Sequence, residues 1–165
     1  MDPGDLARLV LIGIGATAIV DLSSIARRRL FNVPLPNFGF VGRWFAHMAR
    51  GRFRHDSIAA APAIAGERLI GWTAHYLIGI AFAGLLVALE GVAWMREPTP
   101  APAIAVGIVT VVLPFLVMQP GMGAGIAASR TPNPPMARFQ ALATHTIFGL
   151  GLFVTAWLAE RLFPT

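Results

Sequence analysis

Four long apolar stretches divide the chain, at residues 6–26, 69–89, 101–128 and 139–158, and nearly all the charge lies between or beyond them. A helix rises about 1.5 Å per residue, so crossing a hydrocarbon core of about 30 Å takes roughly 20 residues. Each stretch reaches that length. The pattern predicts an all-α polytopic membrane protein built as one four-transmembrane-helix bundle. The third stretch is longer than a straight crossing needs. It carries Pro120, Gly121, Gly123 and Gly125 after an earlier Pro114, so its helix is expected to break near residues 119–125. Residues 31–67 form a loop with a pattern of its own. Phe38, Val41, Phe45 and Met48 recur at helical spacing, while Gly39, Arg43, His47 and Arg50 occupy the other side. This predicts a short interfacial helix, set off by Pro34 and Pro36, with its apolar face in the acyl region and its arginines near lipid phosphates.

Composition supports the membrane reading. Of 165 residues 56% are hydrophobic and 13% charged, against about 25% charged in soluble domains; the mean hydropathy is +0.66. The net charge of +5 is not a nucleic-acid signal, because the basic residues, all arginine, gather between the apolar stretches. Arg27, Arg28, Arg29, Arg43, Arg50, Arg52, Arg54 and Arg68 flank the first loop, and Arg130 and Arg138 the third; only Arg8, Arg96 and Arg161 lie on the opposite side. The positive-inside rule then places both loops in the cytoplasm of a bacterial inner membrane and both termini in the periplasm. Trp44, Trp72 and Trp94 fall where an aromatic belt is expected. The first stretch has no basic residue run before it and no small-residue cleavage site, and reads as a retained helix. The absence of cysteine excludes disulfides and thiolate chemistry.

Polar groups recur at one depth. Asp21 lies six residues inside Arg27, His75 seven inside Arg68 and His145 seven inside Arg138, all roughly 9–11 Å into the bilayer from the arginine-rich side. Gln119 and Met122 occupy the matching part of the third stretch. These five are candidates for a substrate or ion site, since ionisable groups within a span are costly without a function or a partner; the alternative is a set of separate interhelical contacts. Two histidines and a carboxylate also suit zinc or non-haem iron, which makes His75, His145 and Asp21 metal candidates, although no His-x-x-x-His pair fixes a geometry. The Met118/Met122 spacing suits Cu(I) or simple packing. No cofactor is implied. Arg68, His75 and Gly79 recur as Arg138, His145 and Gly149 at one constant offset, which suggests two helical hairpins in parallel repeat. In the first loop, Arg50, Arg52, Arg54 and His55 are candidates for an anionic headgroup or phosphate; the alternative is that they only enforce topology. His47, Asp56 and Glu67 could join His55 in a second polar cluster. No nucleophile elbow, phosphate loop or dinucleotide fingerprint occurs.

At Gly51-Arg52-Phe53-Arg54-His55-Asp56, Gly66-Glu67 and Gly71-Trp72-Thr73-Ala74-His75-Tyr76 the chain resembles the bacterial domain-of-unknown-function family 2938 of small inner-membrane proteins. Gln119-Pro120-Gly121-Met122-Gly123-Ala124-Gly125 and Ala128-Ser129-Arg130-Thr131-Pro132 resemble its second signature block. The resemblance covers nearly the whole chain. It implies a four-helix membrane protein and supplies no activity. Three functions therefore stand as expectations. The first is transport of a small molecule, ion or proton through the polar layer, with homo-oligomerisation because four helices make a thin pathway. The others are a membrane-embedded metal-dependent or lipid-modifying enzyme, and an accessory subunit of a membrane complex. The bilayer and its anionic headgroups are the expected partners.

Overall fold

A computed structural model describes residues 1–163. It is helical, with no strand among the described residues. Four helices are long and apolar enough to cross a membrane: α1 (Pro3–Phe31), α3 (Glu67–Glu90), α4 (Pro100–Met122) and α5 (Pro134–Leu162). The short helix α2 (Phe38–Met48) lies in the first loop.

Local chemistry sets the ends of α1. Asp2 accepts from the Asp5 backbone N–H at 2.7 Å and Asp5 accepts from that of Asp2 at 3.2 Å. This reciprocal capping satisfies donors that the first turn leaves free, and Pro3, which has no N–H, begins the helix. At the other end Asn32 turns left-handed (φ 54°) and closes the last turn on the Arg28 carbonyl at 3.1 Å.

The chain divides into two compact units. The first comprises Met1–Leu35, Tyr76–Thr110 and the chain from Ala143 on. In it α1 and parts of α3, α4 and α5 form a four-helix bundle around Ile12, Ala16, Leu86, Met95, Ala103 and Leu152. Lipid is as apolar as leucine, so such helices associate by close packing rather than by escape from water. Small residues let the backbones meet. A methyl group added to Gly107 on α4 would lie 2.6 Å from the Gly149 Cα of α5, and one on Gly151 would lie 3.0 Å from the Ala16 Cα of α1. Leu11, Leu22, Leu77, Leu89, Leu150 and Leu158 are exposed, the apolar exterior a bilayer requires. At one end Arg8 is buried between Glu160 and the carbonyls of Met95 and Phe163.

The recurring glycines make comparable contacts. Gly79 packs on Thr17 and Gly13 of α1, and Gly149 packs on Ala103 and Ile104 of α4. The recurring histidines differ. His145 bonds to Thr110 and the Gly107 carbonyl, each at 3.1 Å, whereas His75 stacks on the Phe38 ring at 4.2 Å.

The second unit comprises Pro36–His75 and Val111–Leu142. Its apolar centre is Trp44, Ile58 and Ala61, with Phe40, Phe45, Met118 and Met122 against it. Helix α2 lies directly on the first turns of α3: a side chain on Gly42 would strike the Glu67 carbonyl, and one on Gly71 that of Phe38.

Substituting Gly107→Val should lower the thermal unfolding midpoint in detergent, by an overpacking cost of about 1–3 kcal/mol. Gly84→Ala, whose new methyl meets only the Leu9 side chain at 4.0 Å, should leave the midpoint unchanged or raise it. Equal midpoints for wild type and Gly107→Val, read by circular dichroism, would contradict the packing described.

Candidate anion site in the second unit

The polar side of α2 is largely buried within the protein. Gly39, Gly42, Arg43 and His47 are its buried residues, together with Trp44. Arg43 is 8% exposed. Its Nε and Nη2 donate to the two Glu67 carboxylate oxygens at 2.8 Å each, and Nη1 donates to the carbonyls of Ile58, Ala59 and Ala61 at 2.9–3.2 Å. A planar fork with five donors can satisfy a carboxylate and a bent loop together, which an ammonium cannot. The bonds to Glu67 push the already high Arg43 pKa higher. The expected lipid contact gives way because the loop carbonyls and Glu67 need this cation inside the protein.

Around that centre the loop is tied to the end of α4. Trp44 Nε1 donates to the Phe53 carbonyl at 3.0 Å, and His47 Nε2 to that of Pro62 at 3.1 Å. The backbone N–H groups of His55 and Ile58 donate to the carbonyls of Gly121 and Met122, each at 3.0 Å. The Trp44 indole fills the space a side chain at Gly121 would need, 2.7–2.8 Å from its would-be Cβ.

α4 widens into a π-type turn at Pro114–Met118 and stops at Met122, where Gly123 turns left-handed (φ 95°) against the Asp56 carbonyl. The chain then doubles back: Ala124 N–H donates to the Gln119 carbonyl, and Arg130 N–H to that of Ala124, both at 2.8 Å. Ala127 (φ 47°) and Ala128 (φ 59°) are also left-handed, at a cost of roughly 1–2 kcal/mol each for a residue with a Cβ. Arg138 Nε and the Thr131 hydroxyl hold this turn by donating to the Ala127 and Ala128 carbonyls, each at 2.8 Å. Such strain persists only where the surroundings fix it, and it concentrates at functional sites.

The two segments line an open cavity of about 510 Å³. Arg52, Arg54, His55 and Asp56 line it from the loop; Pro120, Gly125, Ile126, Ser129 and Arg130 line it from the turn after α4. Among the described residues no ion pair engages Arg52, Arg54, Arg130 or Asp56. Three arginines therefore line one space, together with the Asp56 carboxylate, and no ion pair joins them among the described residues. His55 is 6% exposed; its Nδ1 faces the Gly121 carbonyl at 3.3 Å and its Nε2 is buried without a partner. Its ring lies edge-on to that of His47, with centroids 5.0 Å apart.

The other sequence candidates have separate settings. In the first unit Asp21 accepts from the Tyr76 hydroxyl at 3.0 Å, and His145 is held by Thr110 as described. In the second unit His75 lies against Phe38 and Trp72, and Gln119 has a buried Oε1 without a partner. Met122, with Met118, packs on the Trp44 cluster, the packing alternative for that pair. Among the described residues no group of three or more His, Cys, Asp and Glu could hold a metal ion, so Asp21, His75 and His145 are not gathered into a ligand set. Arg50 is exposed and does not line the cavity. Sequence reasoning missed Ser129 and Arg130. In the sequence Arg130 reads as a topology marker, although both residues stand within the second block of the family resemblance.

Residues 10–159 match the family described as protein of unknown function (DUF2938), and the chain belongs to it. No curated protein and no solved structure matches the chain.

Arg43→Met strands Glu67 and three loop carbonyls, and removing one partner in this way should destabilise the loop. Proteolysis within residues 50–66 should accelerate accordingly, Arg43→Lys should rescue only part of the loss, and joint replacement with Glu67→Met should recover more than Arg43→Met alone retains. Unchanged protease resistance in Arg43→Met would show that the loop does not depend on this guanidinium.

Proposed function

We propose that this member of the family binds an anionic ligand in the cavity bounded by Arg52, Arg54 and Arg130, at the cytoplasmic ends of its membrane helices. The observation that carries the reading is the lining of one space by three arginines, none of which forms an ion pair among the described residues. Arginine is suited to it, because its fork binds phosphate and carboxylate oxygens bidentately with charge-assisted bonds. The Ser129 hydroxyl supplies a further donor. The turn that presents Ser129 and Arg130 is strained, which accords with a site held for a ligand. The cytoplasmic placement rests on the density of arginine in residues 27–68 and at Arg130 and Arg138, and anionic lipid headgroups are available there.

A second reading is transport. It is favoured by the π-type turn and early stop of α4, since interrupted helices mark substrate sites in transporters. On this reading Asp21, His75, Gln119 and His145 each serve the transported ion or molecule, in a homo-oligomer.

Titration calorimetry of the detergent-solubilised full-length protein with inorganic phosphate tests the first reading. Arg130→Ala and Arg52→Ala should each weaken binding by about tenfold, the equivalent of one charge-assisted contact. Binding to both variants as tight as to wild type would refute it. For transport, His145→Ala should abolish anion flux in proteoliposomes while calorimetric binding persists; wild-type flux in that variant would remove His145 from any path.

A further inference from the structure

Asp56 has no evident place in a receptor for a plain anion. It lines the same cavity as Arg52, Arg54 and Arg130, where its charge repels what they attract. Nor does it neutralise them, because it forms an ion pair with none among the described residues. Its position is fixed rather than accidental. The flanking His55 and Ile58 N–H groups are bonded to the Gly121 and Met122 carbonyls, and its own carbonyl abuts Gly123, where any side chain would collide with it. A carboxylate and three arginines thus line one space, and no ion pair joins them among the described residues.

An arrangement of separated opposite charges is complementary to a ligand that is itself dipolar. Resting on the anion-binding reading above, we infer that the ligand joins a phosphate to a primary ammonium through a short linker, the chemistry of phosphoethanolamine. The phosphate is held by Arg52, Arg54 and Arg130, with Ser129 as an added donor. The ammonium donates to the Asp56 carboxylate, and charge on both partners makes that bond stronger than one from a hydroxyl. Pro120 and Ile126 give the linker an apolar wall. A volume of about 510 Å³ exceeds what a bare phosphate occupies and leaves room for the whole group. The same chemistry comes from a free phosphomonoester or from a lipid headgroup.

The experiment compares inorganic phosphate, phosphoethanolamine, phosphocholine and glycerol phosphate by calorimetry on the full-length protein in detergent. Phosphocholine keeps the cation but has no N–H to donate; glycerol phosphate keeps donors but has no cation. Phosphoethanolamine should bind at least about tenfold more tightly than either, the worth of one charge-assisted bond. Asp56→Asn should erase that preference while retaining inorganic phosphate binding, and Asp56→Glu should restore part of it. Equal affinity of the wild type for the three organic phosphates overturns the inference and leaves the anion site standing, as does a preference that survives in Asp56→Asn. Failure of inorganic phosphate to bind at all removes the underlying reading instead. Nanodiscs then separate the sources. A headgroup ligand predicts protection of residues 50–66 from protease by phosphatidylethanolamine over phosphatidylcholine, and a free ligand predicts equal protection in the two lipids and more on adding phosphoethanolamine.

Discussion

The second unit is organised around a single buried cation. Arg43 stands on the inward side of α2, and the groups it binds come from two places: a carboxylate at the start of α3 and three carbonyls of the intervening loop. The loop has no regular backbone bonding of its own, helical or sheet, at residues 58–61, and its backbone oxygens need donors wherever they leave water. The guanidinium supplies those donors at one point, so the path of residues 58–61 follows from where Arg43 stands. The His55 and Ile58 bonds to the end of α4 extend the same path to the cavity wall.

The first unit rests on a different principle. Its helices meet through Gly107 on Gly149, Gly151 on Ala16, and Gly79 on Thr17, contacts that keep backbones close where hydrophobic burial offers no gain against lipid. Polar groups there are held by local partners. Asp21 has Tyr76, His145 has Thr110 and Gly107, and Arg27 has Ser24 and Thr144. The two units thus divide the labour of a membrane protein, one using close packing and the other a buried polar network.

What the sequence disclosed follows from this division. Apolar length, arginine spacing and the Pro/Gly run at 114–125 announce the helices and the early stop of α4, because bilayer thickness and backbone sterics act on local sequence. The amphipathic spacing of α2 was equally plain, but which side faces inward was not. Helical periodicity separates Arg43 from Phe38 without saying which of them meets protein, and the answer depends on Glu67, 24 residues away. Arg52, Arg54 and His55 stand out in the sequence by the density of basic residues around them, and all three line the cavity. Ser129 and Arg130 do not stand out, since they reach the cavity only through the left-handed turn at Ala127 and Ala128, which two alanines do not advertise. The depth match among Asp21, His75 and His145 was real arithmetic along the chain, but depth alone does not give direction around a helix axis.

The bonds between His55 and Gly121 close over 66 residues, and that separation orders events during biosynthesis. The residues of one wall are synthesised soon after the first span, while those of the other wait for the third. Until then the bonds of His55 and Ile58 to Gly121 and Met122 cannot form, and a growing chain passes through two further insertion steps before both walls exist. The cavity therefore exists only in chains that extend through α4 and the turn that follows it.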